Sequence, residues 1–366
     1  MMRDNEPIQT ASHRASRRDI PADPVETPAF VVHEDAVLRN LEKTIKVSGG
    51  PARLMPHVKT HRAPWVVAAL RNKGVEAFKA ATLAELEMVA RGGARTATLA
   101  FTTVNPANIA RFVRCAQAHP ETNFVGILDS QYGLEAWRAH LRNGQDNIRM
   151  RVDLDPGFGR TGAPMTDAAV DLAAGLHELN RFAGWHLYDG HIHGPVEERR
   201  VRVEAEAEAV RKLNERLARK GISGDLVAGG SYTFDLWPTD VAQFVSPGSW
   251  TYSSASHDRD LPNLNWEPAA FVLATVVSEH DGTVTLDAGA KAIAPDKPLK
   301  ERFRINGEIM LIAEEHAVVR TEGLALGDRI LLVPEHACTT AYLYDRAWVR
   351  TTSGGWERRD QLGSTR

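Results

Sequence analysis

The sequence predicts an α/β protein: a closed (β/α)8 barrel of the TIM type followed by a smaller, mostly β domain. Three observations carry this. Short apolar segments recur at residues 53–58, 75–80, 96–101, 123–128, 148–154, 182–188, 224–229 and 242–246. Most of the gaps between them hold a helical pattern, so strand and helix alternate at the count a closed barrel needs. After Leu261 the helical periodicity fades, and strand-like runs divided by turn signals take over. An open doubly wound sheet is the main rival. The Gly-containing loop that ends the eighth segment favours the barrel.

In chain order, residues 1–25 are polar and mixed in charge, without an apolar core segment. They read as a flexible tail rather than a secretory signal, with an arm that docks on a partner subunit as the alternative. A strand at 29–33 leads into an amphipathic helix over 34–47. The barrel domain is expected over 26–260, with residues 26–33 able to join the β domain, 261–366. Gly49-Gly50-Pro51 is a turn signal before the first barrel strand. A helix over 61–71 follows that strand and closes at Gly74. Further helices are expected over 82–91, 106–119, 131–142 and 166–180. The longest starts near Glu197, where Val203, Val210, Leu213 and Leu217 keep one apolar stripe and Gly221 supplies the stop. The seventh interval holds only a short helix over 233–237. In the β domain, strands are expected at 270–279, 283–287, 308–313, 317–321 and 329–333. Asp281-Gly282 and Leu326-Gly327-Asp328 mark turns between them.

Composition narrows the function classes. The chain has 366 residues, 43% hydrophobic and 25% charged, with a net charge of −3; these are ordinary globular values. Without a basic stripe interleaved with aromatics, nucleic acid is not an expected partner. No apolar run approaches the roughly 18 residues that span a bilayer, so no membrane association is expected. Cys115 and Cys338 are the only cysteines. Two thiols so far apart provide no disulfide framework, and a cytoplasmic location is expected.

Chemistry is expected where strands end, since active sites of parallel α/β proteins lie on that side. Lys59 ends the first strand in Pro56-His57-Val58-Lys59-Thr60-His61. Loops containing Gly229-Gly230-Ser231 and Pro247-Gly248-Ser249 follow strands seven and eight, where barrels commonly bind phosphate. Exposed backbone N–H groups, small hydroxyls and the absence of a Cβ suit a phosphate. A lysine facing a phosphate cup suggests pyridoxal phosphate, with the lysine as its covalent anchor. Arg160 lies in the Gly-rich loop after strand five, where it reads as a charged partner for a cofactor ring or a substrate carboxylate. Tyr188, His191 and His193 follow strand six as candidates for the lining. In the β domain, His336 and Cys338 stand two apart. In an extended segment such residues share a side, and imidazole with thiolate suits zinc.

Taken together, Pro56-His57-Val58-Lys59-Thr60-His61, Gly159-Arg160-Thr161-Gly162, Leu187-Tyr188-Asp189-Gly190-His191, Gly229-Gly230-Ser231, Pro247-Gly248-Ser249, Asp287-Ala288-Gly289-Ala290-Lys291 and Glu335-His336-Ala337-Cys338 resemble the fold type III pyridoxal enzymes of the D-threonine aldolase and D-serine dehydratase family. The likeness runs from about Thr27 to Asp345. It departs at Met55, where the family usually has arginine, and at Thr339, where it usually has proline. The resemblance implies an alanine-racemase-like fold working as a homodimer on a small D-amino acid. It implies pyridoxal 5'-phosphate bound covalently to Lys59, with Arg160 beside the pyridine nitrogen and Tyr188 near the ring. Gly230, Ser231, Gly248 and Ser249 would take the phosphate. It also implies a divalent metal on His336 and Cys338; zinc suits thiolate and imidazole best, with manganese or magnesium as alternatives.

The activity so implied is a lyase reaction on D-β-hydroxy-α-amino acids. Dehydrating relatives tend to carry cysteine as the second metal ligand and aldolases aspartate, so Cys338 leans toward a D-serine dehydratase-like β-elimination to keto acid and ammonia. The alternative is retro-aldol cleavage to glycine and an aldehyde, with His61, His191 or His193 as the base. Amino-acid racemisation is the more distant alternative.

Overall fold

The structure is a computed structural model that describes residues 13–14, 20, 24–142 and 144–366. The chain divides into two compact units: Ile45–Lys59 with Val66–Gly248, and Met1–Thr44 with Thr60–Trp65 and Ser249–Thr365.

The first unit is the barrel. Seven strands run parallel in sequence order: Ala77–Ala80, Thr96–Leu99, Asn123–Leu128, Ile148–Asp155, Phe182–Leu187, Asp225–Ala228 and Phe244–Val245. Residues 54–57 fill the remaining place. Met55 N–H donates to Val245 O at 2.9 Å and His57 N–H to Pro247 O at 3.0 Å, while Lys79 N–H donates to Pro56 O at 3.0 Å. The segment therefore bridges both edges and closes the ring. It does so through single bridges because Pro56 has no N–H to give a ladder. The strand expected over 53–58 is accordingly cut short, with 3-10 turns Pro51–Arg53 and Val58–Thr60 at its ends.

The helices start where side chains can cap them. Thr82 Oγ1 accepts Glu85 N–H at 3.2 Å, and Glu85 Oε2 accepts Ala81 N–H at 2.6 Å, which fixes the start of Leu83–Arg91. Asn105 and Ser130 cap Pro106–Ala118 and Gln131–Arg138 in the same way. Two expectations need correction. The helix expected from residue 61 starts later, as Pro64–Asn72, because proline is favoured in the first turn, where it has no N–H to lose. The short helix expected over 233–237 is a run of turns held by side chains, described below.

Gly184 lies within the sixth stave at φ +125°, and a Cβ there would stand 2.0 Å from Asp225 O on the next stave. No rotamer relieves a clash with backbone. Gly184→Ala is expected to cost about 3 kcal/mol or more, read as a lower denaturation midpoint.

The second unit centres on the long strand Ala270–His280. It pairs antiparallel with Ala29–His33, Thr283–Leu286 and Arg329–Pro334. Ala29–His33 also pairs in parallel with Arg346–Arg350, which turns back into Trp356–Asp360. Gly307–Ile312 and Ala317–Thr321 extend the sheet beyond Thr283–Leu286. The early strand thus lies in this unit. So do residues 249–260, which the sequence places in the barrel domain. Their Ala255 packs in an apolar cluster with Val31, Phe271, Leu273 and Leu331. Of the tail expected over 1–25, residues 1–12, 15–19 and 21–23 lie outside the described residues. His13–Arg14 forms a short strand antiparallel to Arg329–Pro334.

Candidate active site

Within the barrel unit, functional side chains gather around one aromatic ring. Tyr188 directly follows the sixth stave. Lys59 Nζ lies 5.6 Å from its ring centroid, Lys79 Nζ 5.8 Å and Arg160 Cζ 4.7 Å. Lys59 comes from the turn after residues 54–57, and Arg160 from the loop after Ile148–Asp155. All four residues line a cavity of about 340 Å³, together with His57 and His186. Three basic side chains within 5.8 Å of one ring make a place for an anion.

Glycines let the ring sit there. A Cβ at Gly190 would come within 2.3 Å of Tyr188 Cε1, and one at Gly230 within 2.8 Å of Cε2. Gly230 therefore has a packing reason in addition to the phosphate role expected of it. The loop is tied down from below. Buried Asp189 accepts Thr233 Oγ1–H at 2.8 Å and Trp237 Nε1–H at 2.9 Å, while Thr233 Oγ1 accepts Gly230 N–H at 3.1 Å. These bonds replace the expected helix over 233–237. Gly248 N–H donates to Ser231 Oγ at 3.3 Å, so the loops after staves seven and eight converge as the sequence anticipates. Ser249 falls in the other unit, at the start of the 3-10 turn Ser249–Thr251.

Behind the ring lies a buried chain that sequence reasoning missed. Asp153 Oδ1 is 2.6 Å from His186 Nδ1, and His186 Nε2 is 3.2 Å from Lys79 Nζ. Thr161 Oγ1 donates to Asp153 Oδ2 at 2.8 Å. Burial, reinforced by the Lys79 cation, keeps the imidazole neutral. Asp153 stays ionised because its imidazole, hydroxyl and ammonium neighbours outweigh burial. Burial, then the Lys59 cation, pushes the Lys79 amine down to about 7, with Arg160 adding and Asp153 and Asp189 opposing. The available signal was a lysine inside the small and apolar run Ala77-Phe78-Lys79-Ala80-Ala81.

The expected histidines are dispersed. His61 lies in the second unit, fully buried, with Nδ1 accepting Ala63 N–H at 3.1 Å; burial drives its pKa down to about 3. His193 is exposed, donates from Nε2 to Gly190 O at 2.9 Å and meets the Tyr232 ring edge-on. Neither lines the cavity. His191 stacks on Phe158 at 5.5 Å and lies 3.9 Å from Glu206. Glu206 Oε2 is buried without a partner, and burial, then Asp189, raises its pKa to about 8. Between pH 4.5 and 8 this carboxyl holds a proton in the folded chain that it loses on unfolding, so folded stability falls as pH rises through that window. Glu206→Gln is expected to be without effect below about pH 4.5 and stabilising by a few kcal/mol above about pH 8. Denaturant unfolding at the two pH values checks this.

In the second unit, His336 and Cys338 are not in an extended segment. His336 stands at the N-cap position of the one-turn helix Ala337–Ala341, without a side-chain capping bond, because the strand already ends at Pro334. The two side chains still lie close enough to interact, the Cys338 sulfur helping to raise the His336 pKa. His336 Nδ1 bonds to Asp296 Oδ2, whose carboxylate also accepts Thr339 Oγ1–H at 3.2 Å. Burial alone would lower the pKa of His336; Cys338 and Asp296 lift it to about 9. Cys338 Sγ is 3.2 Å from Thr60 Oγ1. Among the described residues no three His, Cys, Asp or Glu converge as a metal cage. Imidazole nitrogen and thiol sulfur are donors that suit zinc, so Nε2 of His336 and Sγ of Cys338 would be the residues to hold a metal. For a phosphorylated pyridine the fit is also good. The cation cluster offers charge, and Ser246 Oγ at the end of the eighth stave is buried without a partner.

Comparison with known proteins agrees with this architecture. Residues 32–256 match the family model for the alanine racemase N-terminal domain, and residues 269–350 the model described as "Putative serine dehydratase domain". The D-threo-3-hydroxyaspartate dehydratase of Delftia sp. (strain HT23) is 24% identical over 376 residues, covering 91% of this chain and 97% of that one. The crystal structure of D-threonine aldolase from Filomicrobium marinum superposes with a TM-score of 0.81 at 24% identity, covering 92% of this chain and 94% of that one. A cysteine-to-alanine mutant of D-threo-3-hydroxyaspartate dehydratase in its metal-free form also reaches 0.81, at 21% identity, covering 92% and 98%. The fold is thus alanine-racemase-like. No helix among the described residues is long and apolar enough to cross a membrane.

Proposed function

The chain belongs to the family of the alanine racemase N-terminal domain, and from that premise we propose that it is a pyridoxal phosphate-dependent lyase acting on D-β-hydroxy-α-amino acids with the help of a divalent metal. The observation that carries this reading is the cluster of Lys59, Lys79 and Arg160 around Tyr188, at a cavity reached from the ends of the staves. Similarity to a dehydratase and an aldolase of such substrates supports the reaction class.

Lys59 is the covalent anchor. Tyr188 offers its ring face, Arg160 its charge to the pyridine side, and Gly230, Ser231, Gly248 and Ser249 take the phosphate. His336 and Cys338 hold the metal. When bound, the cofactor supplies an electron sink for charge at the substrate α-carbon, and the metal supplies Lewis acidity at the β-oxygen. Lys59 Nζ would be the group that accepts the substrate α-proton. Cys338 favours the dehydratase outcome over the aldolase outcome; the similarity to a dehydratase and to an aldolase, each 24% identical along nearly the whole chain, supports the reaction class that both share. The working form is a homodimer, which sedimentation at equilibrium tests.

Incubating the zinc-loaded enzyme and pyridoxal phosphate with D-serine, D-threonine and D-threo-3-hydroxyaspartate tests the activity. Keto acid and ammonia are expected. Glycine with an aldehyde would instead make the chain an aldolase, and turnover of none of the three would remove the lyase reading.

A further inference from the structure

We propose that Lys79 is a second catalytic residue of the barrel cavity, an acid–base group that exchanges a proton with the bound substrate through Nζ. The proposal rests on the lyase reading for the identity of that substrate, but its structural basis is separate.

A lysine inside a β-strand is rarely buried without a carboxylate beside it. Lys79 is 2% exposed, yet its hydrogen-bond partner is an imidazole. Asp153 takes the Nδ1–H of His186, so Nε2 is a bare acceptor and Lys79 must donate one N–H to it. That bond fixes the amine without consuming its remaining capacity. The side chain lines the same cavity as Lys59 and Arg160, and all three lie over the Tyr188 ring. The charged groups around Lys79 come from three directions: Lys59 after residues 54–57, Asp153 and Arg160 on and after the fifth stave, and Asp189 after the sixth. Burial and the two cations outweigh the two carboxylates and bring its pKa to about 7, where a group serves equally as acid and base at neutral pH. His61, His191 and His193, the bases expected from sequence, lie outside the cavity lining.

The proton balance closes on the side chain. The neutral amine takes a proton from the substrate's α-ammonium group and becomes an ammonium, while the α-carbon proton goes to Lys59. The ammonium gives its proton to the departing β-hydroxyl, which leaves as water, so each turnover restores Lys79. His186 and Asp153 are positioning residues that hold the amine and keep their own protons.

Two measurements test this. The first needs no turnover: trace acetylation of the wild-type protein from about pH 5 to about pH 11, read at Lys79 by mass spectrometry. Labelling that rises with an inflection near 7 is expected. An inflection near 10, the ordinary lysine range, or no labelling at any pH would overturn the proposal. The second uses Lys79→Gln and Lys79→Arg in the cofactor-loaded enzyme. The visible band of the bound cofactor should persist in both variants and KM should change little. In both, kcat should fall roughly 100- to 1,000-fold and lose its limb near pH 7. Activity within threefold of wild type, with the limb intact, would contradict the role. Loss of the cofactor band would assign Lys79 to holding the cofactor and would equally overturn proton exchange. If the wild-type enzyme turns over none of the substrates, the lyase reading falls and the acetylation profile alone decides Lys79.

Discussion

Replacing Lys59 by alanine is expected to abolish turnover, by roughly four orders of magnitude or more, and to abolish retention of the cofactor through gel filtration. The fold should survive. Lys59 is exposed on a 3-10 turn, so truncation opens no cavity in the core. The loss is large because a covalent anchor and a proton acceptor disappear together. Unchanged denaturation with an absent cofactor band would separate chemistry from folding. Lys79 sharpens the comparison: it remains in the Lys59→Ala variant and lines the same cavity, so an absent cofactor band there shows that a second lysine in the cavity does not replace Lys59.

Metal removal is the second large effect. Chelation, or Cys338→Ala, is expected to lower the rate of β-elimination roughly 100- to 1,000-fold and to leave the cofactor band unchanged. The fall follows from losing several kcal/mol of Lewis-acid stabilisation at the β-oxygen. Adding back zinc or manganese should restore the chelated wild-type enzyme but not the variant. His336 must shed a proton to bind a cation, since Cys338 and Asp296 hold its pKa near 9, so metal uptake should release protons. Metal content and rate measured on the same samples check the link. Full activity in a metal-free preparation would remove the metal from the reaction and favour racemisation.

Much of the fold was legible because buried parallel strands read as apolar runs and their helices carry caps. Thr82 with Glu85, Asn105 before Pro106 and Ser130 are examples. The first stave was blurred by Pro56, which supplies an acceptor but no donor. Arg346–Arg350 and Trp356–Asp360 were missed because the first puts three apolar residues between two arginines and the second runs four charges together, so neither alternates as a half-buried strand does. Phe303–Arg304 is too short for any periodicity. At the site, Lys59, Arg160 and Tyr188 were legible from their places after strands, and the structure brings them together. Lys79, His186 and Asp153 were not, since a charge in a strand reads as a solvent-facing residue until a cavity is seen beside it. Residues 336 and 338 were paired for the wrong reason: a helix start, not an extended strand, brings them together.

The central claim is that Lys59 carries the cofactor. Borohydride reduction of the enzyme with pyridoxal phosphate, followed by proteolysis and mass spectrometry, tests it most directly. The expected result is a single stoichiometric phosphopyridoxyl group on the peptide containing Lys59. Label on Lys79 instead, label scattered over surface lysines, or none above background would contradict the account.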